Sequence, residues 1–335
     1  MLKTFAIETS CDDTCVAIVE YYDGVIKTNN SFSYSQIADH QKYGGVVPEV
    51  ASRIHNEKIL QLIQKVGIDN IKGCDFISYT STPGLPGSLL VGATTANMLS
   101  NFLSKQLVSV NHIYGHIFSL FLDRKIESIK FPMVVLTASG GHNDIYFVDK
   151  TDGKNTDLGK YKIKKIGQTI DDASGEAFDK VSKMLGGPYP GGGWIYEKAK
   201  KGVSKYDITP TFLKKDEFNF SFSGTKSKVY YIIKNLQKEK QNLSEQDVYD
   251  IAYAFQEGVV EVLSKKLLSA ANKYSAKTVG LAGGVSANSR LLDYFQDLKK
   301  QKGNKKLELL VPAEKYYCTD NACMIGAAGI LSKLF

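Results

Sequence analysis

The feature that most constrains this chain is a strand-turn-strand device that occurs twice. Phe5–Thr9 and Cys15–Tyr21 are short β-rich runs joined by the polar turn Ser10-Cys11-Asp12-Asp13-Thr14, which is the pattern of a hairpin. Met133–Ala138 and Asp144–Val148 repeat it across Ser139-Gly140-Gly141-His142-Asn143. The second copy stands about one domain further along, so the pattern predicts two similar α/β domains. The 335 residues agree, being too many for one small core. Helical spacing of apolar residues predicts helices over Glu49–Val66, Gly87–Leu103, Asn111–Leu122, Asp172–Leu185, Gln246–Tyr274, Ala287–Lys299 and Ala322–Leu334. Thr278–Leu281 reads as a buried strand, Gly186–Gly193 as a specialised loop and Lys299–Lys306 as a solvated one.

Apolar residues make up 43% and charged residues 23%, a globular composition rather than a disordered one. No apolar run is long enough to span a bilayer, and Met1–Glu8 lacks the charged and apolar regions of a secretory signal. Five cysteines (Cys11, Cys15, Cys74, Cys318 and Cys323) form no CxxC pair. They read as reduced thiols of a cytoplasmic protein. Net charge is +7 and uneven. Residues 1–150 carry 12 Lys and Arg against 14 Asp and Glu, whereas residues 151–335 carry 30 against 21. A basic second half suits a polyanionic partner, and equally suits lysines filling solvated faces.

Two of the five histidines, His112 and His116, are spaced i, i+4. On a helix both imidazoles leave one side, which fits two ligands of one transition-metal ion or two histidines satisfied within the fold. The zincin motif fails, because Ile113 stands where its general-base Glu belongs. A third ligand must come from elsewhere, and Asp320 at the start of the last predicted helix is a candidate. The turn Ser139–His142 has glycines that let backbone N–H groups approach an anion, although tight hairpins also use glycine structurally. Asp172, Glu176 and Asp179 fall on one helix face, where like charges repel. Ala282–Asn288 runs from a strand through two glycines into a helix, a turn suited to an anion or a flat ligand.

Ten stretches, in order, resemble the tRNA threonylcarbamoyladenosine transferase family, called TsaD in bacteria and formerly glycoproteases. They are IETSCDDT (7–14), GGVVPEVASRIH (44–55), PGLPGSLLVG (83–92), VNHIYGH (110–116), SGGH (139–142), IDDASGEAFDK (170–180), YPGG (189–192), FSFSGTK (220–226), AGGVSAN (282–288) and CTDNACMIG (318–326). The resemblance implies two RNase H-like lobes of the actin/Hsp70/sugar-kinase fold around a nucleotide cleft. Its boundaries would be 1–128, completed by 318–335, and 129–317. It implies metal ligands at His112, His116 and Asp320, with one divalent ion, Fe²⁺ first and Zn²⁺ second. Substrate and nucleotide positions fall on Thr137, Ala138, Ser139, Gly140, Gly141, Asp179, Gly192 and Asn288. Ser10 and Asp12 lie where the fold holds phosphates. The chain departs from the pattern at Tyr114 between the histidines, at Asn143 after SGGH, and at Gly193, Tyr196 and Thr225.

The reaction implied is transfer of a threonylcarbamoyl group from L-threonylcarbamoyladenylate to N6 of adenosine 37 in tRNAs reading ANN codons. No general base follows from the pattern; Asp12 is the single candidate. TsaB and TsaE type proteins are the implied partners, and no membrane is involved. Lys162, Lys164, Lys165, Lys198, Lys200, Lys201, Lys226 and Lys228 are candidates to meet the tRNA anticodon arm. The alternative on the same fold is an ATP-dependent kinase or ATPase without transferase activity.

Overall fold

Leu2–Glu8 (β1) and Asp13–Tyr22 (β2) pair antiparallel, with Phe5 opposite Ile18 and Ile7 opposite Val16. All four are buried. Val25–Ser35 (β3) continues the antiparallel pairing, while Phe76–Thr82 (β4) lies parallel to β1 and Gln106–Asn111 (β5) parallel to β4. The sheet order is β3-β2-β1-β4-β5. Between the strands run helices Ile37–Gln41 (α1), Pro48–Val66 (α2), Ile68–Lys72 (α3), Pro86–Leu103 (α4) and His112–Ser119 (α5). Helices α2 and α4 open on proline, whose missing N–H costs nothing in a first turn. Ile59, Leu62 and Ile63 of α2 and Ala96 and Leu99 of α4 pack with Phe5, Ile7, Val16 and Ile18 as one core.

The computed structural model describes residues 1–152, 156–208, 218–240 and 242–334. Its second sheet comprises Met133–Ala138 (β6), Asn143–Lys150 (β7), Tyr161–Gln168 (β8), Thr278–Ala282 (β9) and Glu308–Leu310 (β10). The order β8-β7-β6-β9-β10 repeats that of the first sheet, with β6 antiparallel to β7 and parallel to β9. Its helices are Ser174–Met184 (α6), Gly192–Ala199 (α7), Ser223–Lys240 (α8), Glu245–Lys273 (α9) and Ser289–Gln301 (α10). Ser244 and Asp247 close a reciprocal capping box at the start of α9.

The chain divides into two units. Met1–Phe131, Asp149–Ile163 and Leu310–Phe335 form the first, and Pro132–Val148 with Lys164–Leu309 the second. The final helix, Ala322–Leu334 (α11), belongs to the first unit and is buried along most of its length. A side-chain carbon at Gly115 of α5 would stand 2.9 Å from Ile325 of α11. The missing side chain is therefore what lets α5 and α11 approach. No helix among the described residues is long and apolar enough to cross a membrane.

Three local expectations need correction. The glycine-rich run is not all loop, because α7 starts at Gly192. A first turn needs little intrinsic propensity when later residues, here Ile195 and Ala199, are buried. Lys300 and Gln301 belong to α10 rather than to a loop, and Lys299 Nζ donates to the Leu307 carbonyl at 2.8 Å. Asp172 lies ahead of α6 instead of on its face. Lys180 pairs with both Asp172, at 3.1 Å, and Glu176, at 2.6 Å, so two of the three carboxylates share a cation.

Candidate active site

The side chain of Asn111 caps α5, its Oδ1 accepting the backbone N–H of Ile113 at 2.9 Å and of Tyr114 at 3.3 Å. The helix so started projects His112 and His116 to one side, with ring centroids 4.8 Å apart and planes at 84°. Asn321 performs the same service near α11, accepting the N–H of Met324 at 2.9 Å. That cap fixes the preceding residue, Asp320. Its Oδ1 lies 3.1 Å from His116 Nε2 and 3.6 Å from His112 Nε2. The three candidate ligand atoms all lie within 4.8 Å of one another, and both histidines are buried. In the first unit the structure therefore brings together all three residues expected as ligands.

The far side of His112 is held by a residue that motif reading missed. Glu8, the last residue of β1, is wholly buried and its Oε2 stands 3.1 Å from His112 Nδ1. The backbone N–H of Ser10 and the hydroxyl of Thr80 also donate to this carboxylate. Ser10 Oγ is itself 3.1 Å from His112 Nδ1, so this phosphate candidate also touches the imidazole. An Nδ1–H directed at Glu8 leaves Nε2 to face Asp320 and His116, the tautomer a ligand needs. Burial opposes the charge on His112, but the carboxylates of Glu8 and Asp320 outweigh it and raise its pKa to about 9, so a cation binding at Nε2 must displace a proton there. Burial likewise opposes ionisation of Glu8, and His112 reverses this, holding the carboxyl below its ordinary range.

Negative charge is in excess around this centre. Burial, reinforced by Asp320, Asp12 and Glu8, pushes the Asp13 carboxyl up to about 7. Asp12 is also raised, by burial first and Asp320 next. Two imidazole nitrogens, one carboxylate oxygen and surplus negative charge make a donor set that suits a divalent cation of the Fe²⁺ or Zn²⁺ type.

The remaining expected substrate and nucleotide positions all lie in the second unit. Thr137 and Ala138 end β6 and are buried. Ser139 and His142 close the turn, the Ser139 N–H donating to the His142 carbonyl at 2.8 Å. A side-chain carbon at Gly140 or Gly141 would meet nothing within 4 Å, so packing does not require glycine at either position. Gly283 differs: its φ is +86°, and a side-chain carbon there would stand 2.5 Å from the Ala138 carbonyl oxygen. Gly175 of α6 would likewise meet the Ser139 carbonyl oxygen at 2.5 Å. These two glycines bring the start of α6 and the end of β9 against the Ser139–His142 turn. Asp179 Oδ1 accepts the N–H of Gly191 at 2.6 Å, tying α6 to the turn that precedes Gly192. Asn288 is engaged at both ends, Oδ1 capping α10 through the Arg290 N–H and Nδ2 donating to Gln256.

A sequence model of tRNA N6-adenosine threonylcarbamoyltransferase (TsaD) matches residues 27–327. The chain belongs to this family. The protein of that name from Dictyoglomus turgidum is 42% identical over 330 residues, covering 97% of this chain and 92% of its own. That from Bacillus subtilis is 39% identical over 335 residues, covering 99% and 90%. These names favour the transferase over the kinase or ATPase alternative. Among solved structures, full-length HypF in its phosphate- and nucleotide-bound form matches with TM-score 0.56 at 14% identity, over 99% of this chain and 55% of HypF. T. kodakarensis HypF matches with TM-score 0.62 at 11% identity, over 98% and 48%. This chain spans about half of either HypF, and the likeness concerns the two-lobed α/β fold of the actin/Hsp70/sugar-kinase type.

Proposed function

We propose that this chain transfers the threonylcarbamoyl group of L-threonylcarbamoyladenylate to N6 of adenosine 37 in tRNAs that read ANN codons. The reading is carried by the convergence of His112, His116 and Asp320 in a chain of the TsaD family. These three would hold one divalent ion, Fe²⁺ in preference to Zn²⁺, which when bound supplies Lewis acidity and a template for the oxygens of the threonylcarbamoyl group. Glu8 orients His112 for that task. Backbone N–H groups at Gly140 and Gly141 are the proposed donors to the adenylate phosphate, alongside Thr137, Ala138 and Ser139. Asp179, Gly192 and Asn288 would serve the nucleoside, and Ser10 and Asp12 the phosphate side. The mixed anhydride carries its own activation: N6 bonds to the carbamoyl carbon, the bond from that carbon to the phosphate oxygen breaks and AMP leaves, so the protein needs only to orient the attacking amine and accept its proton. Asp12, with its raised pKa, is the candidate acceptor.

The setting proposed is cytoplasmic, with TsaB and TsaE type proteins as partners. The test is mass spectrometry of tRNA nucleosides after incubation of unmodified tRNA and L-threonylcarbamoyladenylate with the chain, with and without those partners. Appearance of N6-threonylcarbamoyladenosine is expected. Its absence under every combination would refute the reading.

A further inference from the structure

Helix α8, SGTKSKVYYIIKNLQKEK, has two faces of different chemistry. Thr225, Val229 and Ile233 are buried and seat the helix. Opposite them, Tyr230 is 49% and Tyr231 62% exposed, so neither ring is needed by the core. Lys228, Lys234 and Lys238 share the exposed side, and Glu239 is the one acidic residue of the helix. The rings stand 5.6 Å apart at 69°, and Lys234 Nζ lies 5.9 Å from the Tyr230 centroid. The helix start is fixed firmly. Asp171 accepts the N–H of Phe222 at 2.8 Å and the hydroxyls of Ser221 and Ser223, each at 2.6 Å. Lys226 pairs with Asp172.

Three other lysines of this basic half are engaged by carboxylates. Lys165 pairs with Asp144 at 3.0 Å, Lys200 with Glu197 at 2.7 Å and Lys205 with Asp247 at 3.5 Å. The exposed face of α8 combines unburied aromatic rings with an excess of cations. That is the chemistry that holds unstacked bases together with their phosphates.

We propose that Tyr230 and Tyr231, flanked by Lys234 and Lys238, form a stacking platform for unpaired bases of the RNA substrate. This rests on the tRNA reading above and deepens it. The tyrosines take base faces, so they favour single-stranded loops or ends over duplex, and the lysines engage phosphates without reading sequence.

The test measures affinity and KM for unmodified tRNA in the complete system of chain and partner proteins that modifies wild-type substrate. Tyr230→Ala/Tyr231→Ala is expected to weaken tRNA about tenfold or more, whereas Tyr230→Phe/Tyr231→Phe retains most affinity. Lys234→Gln/Lys238→Gln should reduce the log–log salt slope by about 1 to 2. Binding of L-threonylcarbamoyladenylate, kcat and the unfolding midpoint should remain as in wild type. If the double-alanine variant modifies tRNA with an unchanged KM, the platform is wrong while the transferase reading stands. If it keeps its tRNA affinity but loses a protein partner, α8 is a protein-docking face and the proposal is overturned. If the wild-type system neither binds nor modifies tRNA, the underlying reading fails and this one with it.

Discussion

Glu8 illustrates what single side chains contribute at the proposed metal centre. A buried carboxylate without partners would be driven towards its neutral form, but this one accepts from Ser10, Thr80 and His112. Removing its charge while keeping its shape should leave the fold intact and loosen the imidazole. Glu8→Gln is therefore expected to lower metal affinity about 10- to 100-fold, the usual range for groups that orient a ligand. His112→Ala and His116→Ala should abolish stoichiometric binding, since each removes a ligand atom. Zn²⁺ titration of the three variants, with circular dichroism to confirm folding, checks the ranking; full metal content in either alanine variant would remove the site. The convergence of His112, His116 and Asp320 was expected from the histidine spacing and the family resemblance. Glu8 was not, since a glutamate ending an apolar strand carries no such mark and its partner lies 104 positions away.

At the scale of elements, glycines with the same residue letter do different work. Gly283→Ala would force a side chain at φ +86° against the Ala138 carbonyl, and should cost about 1–3 kcal/mol of stability. Gly140→Val meets no protein atom from its first side-chain carbon. Its unfolding midpoint should stay close to wild type while adenylate affinity falls. Calorimetry of both variants separates the roles, and undiminished adenylate binding by Gly140→Val would count against the phosphate assignment. Helix α8 offers a pH test. Burial disfavours the Asp171 carboxylate, but hydrogen bonds from Ser221, Ser223 and Phe222 prevail and hold its pKa below the ordinary 3.8. Its contribution is thus present above about pH 4 and lost as pH falls through the lower folded value. Asp171→Asn should abolish that acid-dependent part, as read by hydrogen exchange along α8 between pH 5 and lower pH. Both hairpins and the helices α2, α4, α5, α6, α9, α10 and α11 could be read from period and turn chemistry, whereas α8, with its few buried positions, could not. Strand β3 could not, because Val25–Ser35 is largely polar and partly exposed, without the apolar signal of a buried strand.

The whole molecule repeats one sheet order twice, yet assigns the copies different chemistry. The proposed metal ligands and their support lie in the first unit, and the glycine turns proposed to meet the adenylate lie in the second. A divalent ion binding only the folded first unit should raise its stability by about 2.7 kcal/mol when free metal exceeds Kd a hundredfold. Chelation should therefore lower the first unit's unfolding temperature, and scanning calorimetry with and without chelator would show it; coincident scans would contradict a folded-state site. The repeat was visible in sequence because each copy opens on a hairpin. The charge imbalance was visible too, but which lysines are already paired depends on neighbours that only folding supplies.

The return of α11 to the first unit has a consequence for synthesis. His116 and Asp320 meet across 204 positions of sequence. At about 5–20 residues per second, the ribosome delivers the carboxylate roughly 10–40 s after the second imidazole. During that interval the nascent chain already contains Glu8 and both histidines but offers an ion no complete set of ligands. Loading of the proposed site is thereby deferred until Asp320 has been translated.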